Sequence, residues 1–344
     1  MSSSIETSAL LGQLFDGGAL DFKKSKQLFT RVLSGDLSEV ETTAALIALK
    51  MKTETNDEIA GAAQAMTDSA LEFPRPNYEF SDIVGTGGDG HNTINISSAA
   101  AVVAASCGIK VAKHGNRSVS SKSGSSDLFN AFGIDLNMSP TVARTCLDHA
   151  GLCFLAAPKY HLGMKYVMPI RTALKTRTLF NILGPLANPA KPTHHMLGVY
   201  TPALLDIYAN ILVSLNRNNA FVVHGDGLDE LALHGPSQIR HVKDGAIESF
   251  TVSPSDFNLK EFSLVDIQGG DPSENKQLIE AVFNGEGADA HTSAIAMNAA
   301  ALIHLNGKSK DFKEACDIAM QAIALKKPMQ VINEAAELSQ SQQA

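Results

Sequence analysis

The chain has 344 residues, 44% of them hydrophobic and 19% charged, with a formal net charge of -8. That length suits two domains, or one large domain carrying a smaller one. The acidic balance excludes a sequence-independent grip on nucleic acid, and no apolar run reaches membrane-spanning length.

In chain order, Met1-Ser2-Ser3-Ser4-Ile5-Glu6 lacks a basic stretch followed by an apolar core, so no signal peptide is expected and a cytoplasmic location follows by default. The segment up to Phe73 reads as helices only. Ser38-x-x-Glu41 and Thr55-x-x-Glu58 have capping-box spacing, and each opens a run with apolar residues at helical intervals. Phe73-Pro74-Arg75-Pro76 ends this texture, because proline stops helices and stiffens the connection.

Beyond it, short apolar runs alternate with helical segments. Strands are expected at Asp82–Val84, Ile109–Ala112, Leu152–Ala156, Met196–Tyr200 and Ala220–His224. Helices are expected at Ile96–Cys107, after Thr201-Pro202 and at Ala294–Leu305. Such alternation argues for a largely parallel sheet. Asp244-Gly245 between Ile239–Lys243 and Ala246–Val252 reads as a two-residue hairpin, which makes the sheet mixed. The tail Ser339–Ala344 is polar and expected to fray. Cys107, Cys146, Cys153 and Cys316 form no CxxC pair and read as buried small hydrophobes.

Four segments carry chemistry. In Gly85-Thr86-Gly87-Gly88-Asp89-Gly90 a strand runs into a loop of four glycines that leads to a helix opened by Ser97 and Ser98. Glycines let several backbone N–H groups converge on phosphate oxygens, and a helix N-terminus adds partial positive charge. The segment is neither a Rossmann nor a Walker loop, since no Lys-Ser/Thr follows the glycines. Lys113 to Asp127 gathers three cations and six hydroxyls between a strand and a helix, a composition suited to an anion. Asp229-Glu230, after His224-Gly225-Asp226-Gly227, suits a hard cation that bridges protein to phosphates, although taken alone it reads better as two surface acids. His161, Lys165, Arg171, Lys175 and Arg177 form a basic stretch in which Arg171 offers a fork for a carboxylate. His161, Lys165 and Arg171 share one helix or flank its ends. His194-His195 lacks metal-ligand spacing and reads as structural.

Taken together, GTGGD at Gly85–Asp89, NISS at Asn95–Ser98, KHGNR at Lys113–Arg117, RTLFNILGPLANP at Arg177–Pro189 and GLDE at Gly227–Glu230 resemble the anthranilate phosphoribosyltransferases over nearly the whole chain. The resemblance implies a small N-terminal helical domain and a larger α/β domain with a central, largely parallel (mixed) sheet of nucleoside-phosphorylase-like architecture. It places the helical domain at 1–73, joined by helices from about 163–186, and the α/β domain at 77–344. It implies transfer of the phosphoribosyl group of phosphoribosyl diphosphate (PRPP) to anthranilate, with Mg²⁺ as cofactor and a homodimer formed through the helical domain.

Carried over residue by residue, Gly85, Gly88 and Asp89 hold the diphosphate, and Thr93, Asn95, Ile96, Ser97 and Ser98 complete that pocket. Lys113, His114, Gly115, Asn116, Arg117, Ser118, Val119, Ser120, Ser121 and Ser125 grip the phosphates and ribose. Asn116 and Arg171 face anthranilate, with Gly85 near it and His161 along its entry route. Ser97, Asp229 and Glu230 bind Mg²⁺. No acid or base is assigned. The sequence departs from the family pattern in having Ser98 where Thr is common, Leu162-Gly163 after His161, Lys175-Thr176 in place of a Gly-containing stretch, Thr53 in place of Gly, and Lys276 in place of Ala. A pyrimidine nucleoside phosphorylase, similar in fold, lacks the Asp229-Glu230 pair. A non-catalytic nucleic-acid-binding relative is expected to have gained basic surface, which this chain has not.

Overall fold

A computed structural model of the protein describes residues 2–117 and 122–341. The chain opens with four helices, α1 (Ser2–Phe15), α2 (Phe22–Ser34), α3 (Glu39–Lys52) and α4 (Asn56–Asp68). Both expected capping boxes form: Ser38 caps α3 with Glu41, and Thr55 caps α4 with Glu58. The second box does more than cap. Glu58 is fully buried, and its carboxylate also accepts Leu20 N (2.9 Å) and pairs with Lys52 Nζ (2.6 Å), so it ties the ends of three helices together.

The strands are β1 (Ser81–Gly85), β2 (Val111–Gly115), β3 (Leu152–Ala156), β4 (His194–Gly198), β5 (Asn219–Gly225), β6 (Ser237–Lys243) and β7 (Ala246–Val252). They form one sheet in the order β3-β2-β1-β4-β5-β6-β7. The first five are parallel, and β6 and β7 add antiparallel at one edge, joined through Asp244-Gly245, so the sheet is mixed as expected. The chain builds β1, β2, β3 in one direction and then returns to place β4 on the other side of β1. Such a reversal leaves a crevice at the carboxyl ends of the two strands that flank it, here β1 and β4.

The remaining helices are α5 (Ile96–Ser106), α6 (Ser125–Ala131), α7 (Pro140–His149), α8 (Ala157–Tyr160), α9 (Met168–Leu174), α10 (Ala203–Ser214), α11 (Pro272–Phe283), α12 (Asp289–Leu305), α13 (Phe312–Ala324) and α14 (Lys327–Ser339). Side chains of the central strands alternate between two cores, as a pleated strand requires. On β5, Phe221 and Val223 enter the core made with α5, α12, α13 and α14. Ala220 and Val222 enter a second core with α10 and the N-terminal helices. Val167, Ile170, Leu179, Phe180, Leu183 and Leu186, from the segment between β3 and β4, lie in this second core too.

Two expectations are corrected. His161, Lys165 and Arg171 do not share a helix: His161 ends α8, Lys165 lies in a 3₁₀ turn (Leu162–Tyr166), and Arg171 lies on α9. Pro at position 169 and the glycine at 163 break the segment into short pieces. The tail does not fray from Ser339. That residue closes α14 nearly buried (2% exposed), and its hydroxyl accepts Asp135 N (2.9 Å). Residues 342–344 lie outside those described.

Candidate active site

Four parallel strands, β1, β2, β4 and β5, end in glycine: Gly85, Gly115, Gly198 and Gly225. The reason is close approach. A methyl group at Gly85 would strike the Asp229 carboxylate, one at Gly198 the Asp229 backbone, and one at Gly225 the Glu230 carbonyl. The turn carrying the acid pair therefore folds down across the strand ends, onto backbone that has no side chains in the way.

That turn is fixed from both sides. His224 donates from Nδ1 to Val199 O (2.7 Å), and its Nε2 accepts Gly227 N (3.3 Å). Asn298, buried on α12, accepts Leu231 N through Oδ1 (3.0 Å) and donates through Nδ2 to Leu231 O (3.2 Å). Between these pins the acids reach toward the glycine loop and α5. Asp229 Oδ2 accepts Gly87 N (2.6 Å), and Glu230 Oε1 accepts Ser97 N (2.8 Å) in the first turn of α5.

Both carboxyls resist ionisation. Burial, followed by the nearby Asp89, pushes Asp229 up to about 7. Burial, followed by Asp229, holds Glu230 well above the usual carboxylate range. No Lys, Arg or His among the described residues stands within ion-pair distance of either. Among those residues no group of three or more His, Cys, Asp or Glu side chains converges into a metal cage. Two underneutralised carboxylates fit Mg²⁺ better than a closed cage does, because that ion keeps waters and shares phosphate oxygens.

Beside the acids lies a buried cation. Lys113 on β2 is 1% exposed; its Nζ donates to Ile83 O and lies 3.5 Å from Ser97 Oγ. Burial lowers its pKa, opposed by Asp82, Glu230 and Asp229. Asp82, wholly buried on β1, accepts Asn188 Nδ2 (2.8 Å) and His114 N (3.2 Å), and burial raises it to about 6. His114 Nδ1 faces Gly184 O (3.3 Å), which can only accept. Its proton therefore sits on Nδ1, and its Nε2 accepts from His161 Nε2 at 3.2 Å. Burial pushes both imidazoles down, His161 to about 4, so the pair is neutral at pH 7.

The other expected residues fall around this floor. Gly88 and Asp89 lie in the loop after β1, where Asp89 Oδ1 accepts His91 N (3.2 Å). Thr93 bridges to Gln268, and Asn95 precedes α5 with its amide bonded to Ser123 O (3.0 Å) and Asn275 Nδ2 (2.8 Å). Ile96 is buried in the main core, and Ser98, in the first turn of α5, is 1% exposed. Gly115 passes into exposed Asn116 and Arg117, and Ser125 Oγ donates to Asn116 O (3.2 Å). Ser118, Val119, Ser120 and Ser121 lie outside the described residues. Arg171 is half-buried, with Nη1 3.9 Å from Met168 Sδ and no carboxylate of the described residues in ion-pair range. His161, expected along an entry route, is 4% exposed.

Sequence reasoning gave no site role to Asn275 and Asn298, both almost wholly buried, and placed Arg177 only in a basic stretch, without the glycine loop as partner of its Nη2, which donates to Gly88 O (3.1 Å). No spacing rule connects them to segments so distant in the chain. A buried asparagine inside an apolar helical run such as Ala294–Leu305 is the one signal that pointed to a partner.

Residues 77–325 match a family model described as glycosyl transferase family, a/b domain, and residues 8–70 match its helical bundle domain. A relative from Aeromonas hydrophila, named anthranilate phosphoribosyltransferase, is 51% identical over 329 residues, 96% of each chain. Among solved structures, anthranilate phosphoribosyltransferase from Thermus thermophilus superposes with a TM-score of 0.91 at 34% identity, covering 96% of this chain and 99% of that one. The Saccharomyces cerevisiae enzyme in complex with PRPP and Mg superposes with a TM-score of 0.89 at 28% identity, covering 97% of both chains.

Proposed function

The chain belongs to the anthranilate phosphoribosyltransferases, and from that premise we propose how its residues share the reaction. It moves the 5-phosphoribosyl group of PRPP onto the amine of anthranilate, giving N-(5-phosphoribosyl)anthranilate and diphosphate, in L-tryptophan biosynthesis.

The observation that carries the division of roles is the acid pair lodged under the glycine loop, on strand ends stripped of side chains. The diphosphate lies over Gly85, Gly88 and Asp89, against backbone N–H groups and the start of α5. Asp229 and Glu230, with Ser97 beside them, hold Mg²⁺, which when bound offsets charge on the departing diphosphate. Lys113 adds its positive charge from beneath Ser97. Lys113, His114, Gly115, Asn116, Arg117 and Ser125, with Ser118–Ser121, take the phosphates and ribose. Arg171 and Asn116 orient the anthranilate carboxylate, so the amine meets the anomeric carbon as the bond to diphosphate breaks. An aromatic amine is already nucleophilic, and no side chain is given the role of base.

Residues 163–186 belong with the helical unit, because their apolar side chains share its core. Two copies pair through that unit. Val40, Ala44, Ile47 and Met51 fall on one face of α3, and Val40 and Met51 are each 78% exposed.

Mixing the protein with anthranilate, PRPP and Mg²⁺ should extinguish anthranilate fluorescence. Arg171→Ala should raise the KM for anthranilate about tenfold or more, the loss of one charge-assisted contact, while PRPP binding stays unchanged. Equal loss of both would remove Arg171 from the acceptor side.

A further inference from the structure

The loop that receives the diphosphate is tied to the helical unit through one exposed side chain. Arg177 follows α9 in the segment between β3 and β4. Its Nη2 donates to Gly88 O (3.1 Å), and its guanidinium lies over the Tyr200 ring, 4.5 Å from the centroid. Tyr200 is itself joined to the same loop, since its N–H donates to Thr86 Oγ1 (3.1 Å). On the other side, Lys50 Nζ from α3 donates to Arg177 O (2.9 Å) and to Thr176 Oγ1. A continuous chain of contacts therefore runs from α3 through Thr176–Arg177 to the centre of the glycine loop.

We infer that Arg177 is a positioning residue that sets the Gly88–Asp89 peptide for the diphosphate and couples that setting to the helical unit. The inference rests on the transferase reading above. A trans peptide carries its C=O and N–H on opposite sides, and the described chain contains no cis bond. Drawing the Gly88 carbonyl onto Arg177 turns the Asp89 N–H the other way. Gly88 has no side chain to restrict ψ on its side of this peptide, so the Arg177 contact adds a restraint that the glycine does not supply. A cation on the carbonyl also polarises the amide, which makes the N–H a stronger donor to an anion. A side chain at Gly88 would press on the guanidinium, with a Cβ only 3.0 Å from Nη2. Tyr200 supplies a platform that holds the guanidinium flat against the loop.

The test separates positioning from mere structure. PRPP binding is measured by calorimetry without anthranilate, and KM for each substrate is measured in turnover, for the wild type, Arg177→Ala, Arg177→Lys, Lys50→Met and Tyr200→Phe. Arg177→Ala should weaken PRPP binding and raise its KM by about tenfold, with the KM for anthranilate within about twofold. Arg177→Lys should recover part of the loss, and Tyr200→Phe, which keeps the ring, should match the wild type. Lys50→Met should act in the same direction by about threefold and should not add to Arg177→Ala, as coupled contacts behave. Unchanged PRPP binding in Arg177→Ala, equal loss of both substrates, or full additivity with Lys50→Met would overturn the inference. A wild type that binds no PRPP would overturn the transferase reading instead. Arg177 and Lys50 lie outside the cores, so a melting curve like that of the wild type identifies folded variants.

Discussion

Two residues just past helix ends carry side chains at positive φ, where glycine is the unstrained choice. Thr53, at the C-terminus of α3, has φ of 70°, and Lys175, after α9, has φ of 49°. A β-branched side chain at positive φ is strained, and Thr53 combines that φ with ψ of 126°, away from the left-handed well. Thr53→Gly should therefore raise stability by about 1 kcal/mol, read by urea denaturation at unchanged slope. A fall would show that Thr53 makes contacts worth more than its strain. Asp82 makes a prediction about pH. Its folded-state value, about 6, lies above the ordinary 3.8, so the native state holds this proton more tightly than the unfolded chain. Stability from this group is full below the lower value and is lost as pH rises through the folded value. Asp82→Asn cannot ionise and should gain on the wild type by up to about 3 kcal/mol between pH 4 and pH 7. A stability difference that stays flat across that window would mean that Lys113 and Asn188 neutralise Asp82 fully.

At the scale of elements, the strands matter more for how they end than for where they run. β3 and β7 fall where the apolar runs placed them, β6 starts two residues earlier, and the other strands differ by one to three residues at each end. The hydrophobic pattern reports burial rather than pairing, so it blurs at strand ends, where function begins. The glycine loop, the acid pair and the basic stretch were legible because their chemistry is written in consecutive residues. The parts that hold them were not. Asn298 reaches Leu231, Asn275 reaches Asn95 and Arg177 reaches Gly88 across the fold. Gly198→Ala tests the strand-end reading. Its methyl meets the Asp229 backbone, so the acid turn must lift. Catalytic groups displaced by about 1 Å lose on the order of a hundredfold in rate, and a loss of that size in kcat is expected with the circular dichroism spectrum retained. Activity close to the wild type would mean that the turn accommodates the methyl at no cost.

For the whole molecule, the question is how two cores and two copies cooperate. β4 and β5 contribute alternate side chains to both cores, so the helical unit and the sheet share a wall. The pairing face proposed on α3 lies on the same helix as Lys50, which holds Arg177. Val40→Glu with Met51→Glu should convert a dimer to a monomer in sedimentation velocity, because each buries a charge in an apolar contact. A single species of unchanged mass in wild type and variant would place the contact elsewhere. The fold class and both family domains were readable from the alternation of helix and strand. Partner faces were not, because an exposed Val or Met carries no mark of what covers it.

The bare strand ends have one more consequence, for anyone who wishes to change what this enzyme accepts. Where a pocket floor is made of side chains, its shape is rewritten by exchanging them. Here the strand ends under the proposed donor site leave no room for a side chain, since Gly198 and Gly225 press against main chain and Gly85 against the Asp229 carboxylate. The acceptor end proposed above, at Arg171 and Asn116, lies on separate short pieces, with exposed Leu162 nearby in sequence. Redesign therefore has room on one side only: new amines can be courted at the loops, while the phosphoribosyl donor stays as it is.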